Sequence, residues 1–106
     1  MGGVLYGKLY LVANTTEMYD PATNQWIDKA PPPTDATFTI YGTAAAAQAK
    51  LYVFSGRTLV YAPLSDSWTV RAFGKGQVGP VATRVFVDGR PRIEVVGQLS
   101  NYQYVP

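Results

Sequence analysis

The sequence predicts an all-β chain built from a repeated unit of four antiparallel strands. Lys8-Leu9-Tyr10-Leu11-Val12 returns as Lys50-Leu51-Tyr52-Val53-Phe54, 42 positions later. Tyr19, Pro21 and Trp26 return as Tyr61, Pro63 and Trp68 at the same offset. Between these blocks, short runs of β-forming residues alternate with Pro, Gly, Asn and Asp turn signals. Two blocks sharing one offset, with one gap between them, mark a duplicated structural unit.

Taken in order, Met1 falls inside what should be the first strand of the first unit. KLYLV is the second strand, apolar on both faces as a buried strand should be. Tyr19 ends the third strand, Asp20-Pro21 with Asn24 makes a turn, and Trp26 sits on the fourth. Ala30-Pro31-Pro32-Pro33-Thr34 is a loop between units. The second unit starts with Tyr41 to Gln48. Its TAAAAQAK segment has high helix propensity in isolation. In the repeat it is an inner strand whose small side chains suit a crowded position, so a strand is expected. KLYVF, the turn at Pro63 with Ser65-Asp66, and Trp68 complete that unit. Gly74-Lys75-Gly76-Gln77 is the next loop. In the third unit, Asp88-Gly89 signals a hairpin between Val85-Phe86-Val87 and Ile93-Glu94-Val95. Arg92 to Gly97 continues the KLYVF pattern at the same offset, and Tyr104-Val105-Pro106 echoes Tyr61-Ala62-Pro63 at an offset of 43. The expected organisation is a single repeat domain over 1–106, with units at about 1–36, 37–78 and 79–106, the last incomplete. A period of roughly 40 to 50 residues suits the blades of a β-propeller.

Composition narrows the functional classes. The 106 residues are enough for one small domain. They are 47% hydrophobic and only 15% charged, against roughly 25% charged in a typical globular domain. Such a surface is expected to be covered in part by another copy or another protein. The net charge of +2 is split as −1 over Met1–Val53 and +3 over Phe54–Pro106. That mild bias reads as a solvated face, not as a nucleic-acid footprint. With no Cys and no His, disulfides, Cys/His zinc sites, thiol nucleophiles and imidazole triads are excluded. No apolar run reaches the roughly 18 residues of a membrane span. MGGVLYGKLYLVAN lacks the basic region and cleavage pattern of a signal peptide. A membrane role is not expected, and the compartment is left open.

The Tyr19-Asp20-Pro21…Trp26 and Tyr61-Ala62-Pro63…Trp68 motifs, each following a hydrophobic strand, resemble the kelch repeat, a four-stranded propeller blade. Ala13-Asn14, Ser55-Gly56 and Gly97-Gln98 stand where that family has a glycine pair. The resemblance implies that each Trp lies on an outer strand and packs against the neighbouring blade. It places each Tyr on a third strand, while Pro fixes φ at the turn. About two and a half blades cannot close a ring, since propellers typically have four to eight. An open arc leaves faces and edges that invite association. A homo-oligomer or a completing propeller fragment is therefore expected, and two copies would supply about six blades. The family includes a copper-radical oxidase whose site uses His and a Cys-linked Tyr, and this chain has neither residue to carry that activity.

Catalytic motifs are missing from the sequence. GKGQVG at Gly74–Gly79 lacks the strand-to-helix context of a phosphate loop. Glu17, Asp20, Asp28, Asp35, Asp66, Asp88 and Glu94 are scattered through turns, not paired for hydrolysis. No enzyme activity, cofactor or metal is expected. In kelch-like propellers, the loops between second and third strands share one face with the loops between blades, and that face contacts partners. Mapped here, the candidate partner-binding residues are Arg57, Arg71, Asn14, Thr15, Ser55, Thr58, Ser100 and Asn101. The two arginines offer planar donor forks suited to carboxylates on a peptide or an acidic sugar. The expected function is a non-catalytic protein-interaction or scaffold module, self-assembling or part of a larger propeller. The alternative is a carbohydrate-binding propeller, with a protein, peptide or glycan ligand on the loop face in either case.

Overall fold

Short β-forming runs joined by tight turns leave each strand beside its sequence neighbour, and that meander is the architecture found. The computed structural model describes residues 1–34, 42–73, 81–96 and 101–106. Within them, eleven strands form three antiparallel sheets, with no helix. Sheet 1 runs in the order β1 (Gly2–Leu5), β2 (Lys8–Val12), β3 (Thr16–Asp20), β4 (Gln25–Lys29). Sheet 2 repeats it with β5 (Thr43–Ala47), β6 (Lys50–Ser55), β7 (Arg57–Ala62) and β8 (Ser67–Phe73). Sheet 3 comprises β9 (Val81–Val87), β10 (Arg90–Val96) and β11 (Asn101–Tyr104). The polyalanine segment is the strand β5. It packs beside β1 on one side and β9 on the other, so the first strands of successive sheets adjoin. No sheet closes on itself as a barrel among the described residues.

Three hairpins turn through two residues that both have positive φ: Tyr6-Gly7, Gln48-Ala49 and Asp88-Gly89. These are type I′ turns, whose twist matches that of the flanking strands. The turn at Asp88-Gly89 falls where the sequence signals it. Ala49, at φ 59°, sits in the left-handed region where a Cβ crowds the backbone. Ala49→Gly is expected to raise unfolding stability by about 1 kcal/mol, readable as a shifted urea midpoint with unchanged slope.

Sheet 2 lies between the other two, and its strands alternate accordingly. Leu51, Val53, Leu59 and Tyr61 join Leu5, Tyr10, Val12 and Met18 of sheet 1 in one buried cluster. Tyr52, Phe54, Val60, Ala45 and Ala47 join Ile93 of sheet 3 in a second, with Tyr104 against it. The two interfaces repeat each other in detail. Tyr10 meets Tyr61 with ring centroids 5.7 Å apart, and Tyr52 meets Tyr104 at 5.4 Å. Small residues line the inner strands because the neighbouring sheet comes close there. A Cβ on Gly3 would lie 2.7 Å from Leu51 Cδ1, and Ala47 is fully buried.

Candidate functional site

Register places one row of side chains across each sheet. In sheet 2 the row is Ala46–Leu51–Tyr61–Trp68, each residue directly opposite the next. In sheet 1 it is Val4–Leu9–Tyr19–Trp26. The Tyr–Trp pairs are near copies, with centroids 5.0 Å apart in sheet 2 and 5.1 Å in sheet 1. Their surroundings differ. The sheet 2 row is covered by sheet 1, leaving Leu51 and Tyr61 with no exposure. The sheet 1 row has no sheet against it among the described residues. Trp26 is 51% exposed, Val4 62%, and Leu11 beside them 42%.

Polar contacts follow the same pattern. In sheet 2, Tyr61 donates its hydroxyl to Asp66 Oδ1 at 2.7 Å. Asp66 Oδ1 also accepts the amide of Ala30 at 2.9 Å. Trp68 Nε1 donates to the Ala30 carbonyl at 2.8 Å. The chain leaving sheet 1 is thus clamped through both its backbone groups. In sheet 1, Tyr19 donates to Asn24 Oδ1 at 2.7 Å. Asn24 and Trp26 stand 42 positions before Asp66 and Trp68, yet no backbone group among the described residues fills the place of Ala30. The resemblance implied that each Trp packs against a neighbouring unit. Trp68 does so, and Trp26 presents the same ring and N–H outward.

Electrostatics are concentrated at Asp66. The Ala30 amide, then the Tyr61 hydroxyl, hold its carboxyl below the usual carboxylate range. Burial, reinforced by this bond, pushes Tyr61 well above the ordinary tyrosine range. A carboxyl with a lowered folded pKa contributes stability above its unfolded value of about 3.9, and that contribution disappears as pH falls through the folded pKa. Wild-type melting temperature should therefore decline below about pH 4, and Asp66→Asn should flatten that decline while lowering stability at neutral pH. Asp66 is exposed, so solvent screening keeps the effect small.

The candidate residues from the sequence occupy varied positions. Asn14 and Thr15 are exposed on the β2–β3 turn. Thr15 also lines an open groove of about 270 Å³ with Met1, Leu11, Val12, Ala13 and Glu17. Ser55 and Thr58 are buried where β6 turns into β7 through Gly56. Arg57, between them, is half-buried. Arg71 is exposed on β8 and near enough to act on Tyr52, whose hydroxyl burial holds above the ordinary range. Asn101 opens β11, and Ser100 lies outside the described residues. The meander puts the β2–β3 turn, the β6–β7 turn and the end of β4 at one end of the sheets. The described residues contain no group of three or more acidic side chains able to hold a metal ion. Neither a family model nor a curated protein matches the chain.

The sequence reading of single residues passed over the face of sheet 1 itself. A signal for it was present: KLYLV has the two-sided apolar pattern of KLYVF, although among the described residues β2 is covered on one side only.

Proposed function

We propose that the chain is a non-catalytic protein-interaction and scaffold module of kelch-like propeller units, which docks through the outer face of sheet 1 onto a second copy of itself. The observation that carries this reading is the outward row Val4–Leu9–Tyr19–Trp26, in which Val4 and Trp26 are exposed and Leu9 and Tyr19 half-buried. Its counterpart in sheet 2 is buried against a neighbouring sheet. Exposed apolar surface of this kind, rimmed here by Glu17 and Asp28, favours a partner surface.

The far face of sheet 3 is a poorer complement. Ile93 and Tyr104 point toward sheet 2, so Glu94 and Gln103 point away, joined by a 2.7 Å hydrogen bond. A polar outer face of this type caps a stack of repeats. The sheet 1 face finds its match in the same face of a second copy, an isologous pairing. Light scattering on a sizing column should give twice the 11.5 kDa of one chain at micromolar concentration. Leu11→Lys should return a folded single chain. A single-chain mass for the wild type up to 100 µM would overturn the reading.

A second reading, carbohydrate binding, draws on the exposed Trp26 ring paired with half-buried Tyr19 beside Asn24, an aromatic platform with an amide at its edge. A glycan array, with Trp26→Ala as control, separates the two.

A further inference from the structure

The turn between β2 and β3 carries a motif that neither the fold nor the docking face uses. It reads Asn14-Thr15-Thr16, an asparagine followed two residues later by a threonine, with no proline between them. That is the acceptor pattern for an N-linked glycan. The chain has three asparagines, and Asn24-Gln25-Trp26 and Asn101-Tyr102-Gln103 lack the hydroxyl. Thr58 holds the place of Thr16 in sheet 2, but Gly56 stands two residues before it. Register makes Asn14 the tip of its turn. Val12 is opposite Thr16, and the Ala13 amide donates to the Thr15 carbonyl at 2.9 Å. Asn14 is exposed there. Thr16 is the reverse. It is 1% exposed, and its Oγ1 is buried with no hydrogen-bond partner among the described residues. A hydroxyl left in that state costs stability, and Val has nearly the same shape without it. The folded chain therefore gives no use to the group that completes the motif.

We propose that Asn14 is an acceptor site for an N-linked glycan, attached while the chain is still extended and before β3 carries Thr16 into the buried layer. In the transfer, Asn14 Nδ2 bonds to the anomeric carbon of a lipid-pyrophosphate-linked oligosaccharide. The bond from that carbon to the pyrophosphate oxygen breaks, the lipid pyrophosphate leaves, and one amide proton is released. The acceptor pattern needs both the amide and the hydroxyl two residues on, and in the extended chain both are open. Once β3 pairs with β2 and β4, Thr16 is closed off. Asn14 alone stays at the surface, where a bulky hydrophilic adduct is accommodated. That order of events accounts for an exposed asparagine coupled to a buried hydroxyl with nothing to bond. The site lies on a turn at the end of sheet 1 and stands whether or not the face of that sheet docks on a second copy.

The test is translation of the full chain behind a cleavable secretory leader, with microsomes supplying the donor and the enzyme. The wild type should gain one glycan. Peptide N-glycosidase should remove it and leave the Asn14→Asp mass change in the peptide that carries the turn. Asn14→Gln and Thr16→Val should each abolish the gain. The same two variants, made without glycan, separate the motif from the fold. Asn14→Gln should leave the urea midpoint unchanged. Thr16→Val should raise it by about 0.5 M with the slope unchanged, because a buried hydroxyl without a partner has been removed. A wild type whose leader is cleaved but whose Asn14 stays unmodified overturns the proposal. So does a glycan that survives Thr16→Val. A midpoint that falls in Thr16→Val also overturns it, since the hydroxyl would then belong to the fold.

Discussion

Tyr61→Ala is expected to lower the stability of the chain by about 3–5 kcal/mol at 25 °C. Tyr61 is fully buried between sheets 1 and 2. Its ring touches Tyr10 across the interface and Trp68 within the sheet. Truncating such a ring costs about 3–5 kcal/mol through lost transfer free energy and the cavity left behind. A domain of this size has only about 5–15 kcal/mol in total, so the loss consumes much of its stability. Tyr61→Phe separates the ring from its hydroxyl. It removes only the bond to Asp66, on a carboxylate open to solvent, and should cost about 1 kcal/mol. Urea unfolding followed by far-UV circular dichroism measures both. Equal costs for the two variants would mean that the ring does not fill the interface.

The second large effect is a difference between two tryptophans. Trp68→Ala should cost about 3 kcal/mol, the lower end for a large aromatic because its ring is half-buried. It also leaves the Ala30 carbonyl without its indole donor. Trp26→Ala should cost less than about 1 kcal/mol when measured in the single-chain Leu11→Lys background, since only the pairing with Tyr19 is lost. In the wild type at assembling concentrations, the cost of Trp26→Ala should grow. The two residues occupy the same place in the repeat, so any difference between them measures what covers each face.

Much of this fold was legible because the repeat constrains local choices. TAAAAQAK favours a helix by propensity, but its position one strand before KLYVF makes it β5, where a neighbouring sheet leaves room for little beyond methyl groups. The turns at Asp88-Gly89, Pro21 and Pro63 announce themselves through residues that tolerate or fix unusual φ. Coverage was harder to read. KLYLV and KLYVF are nearly the same word, and only the placement of a second sheet buries Val53 while leaving Leu11 open. For the same reason Trp26 and Trp68 look equivalent in sequence and differ in exposure. In the sequence Ser55 and Thr58 read as polar residues of the loop between second and third strands. The one-residue link at Gly56 keeps β6 and β7 paired to their ends, and both side chains are carried into the buried layer. The polar face of sheet 3 was legible only in retrospect: Glu94 takes the place of Tyr10 and Tyr52, and its pairing with Gln103 becomes apparent once the register is known.

The most direct test of the sheet 1 face uses the chain's two tryptophans as reporters, labelled as 5-fluorotryptophan and followed by ¹⁹F NMR across a concentration series. Trp26 should shift and lose access to a soluble paramagnetic quencher as concentration rises, with a midpoint matching the doubling of mass, while Trp68 stays constant. A mass that doubles while Trp26 remains as accessible as in the dilute chain would contradict the account, because the copies would then meet through some other surface.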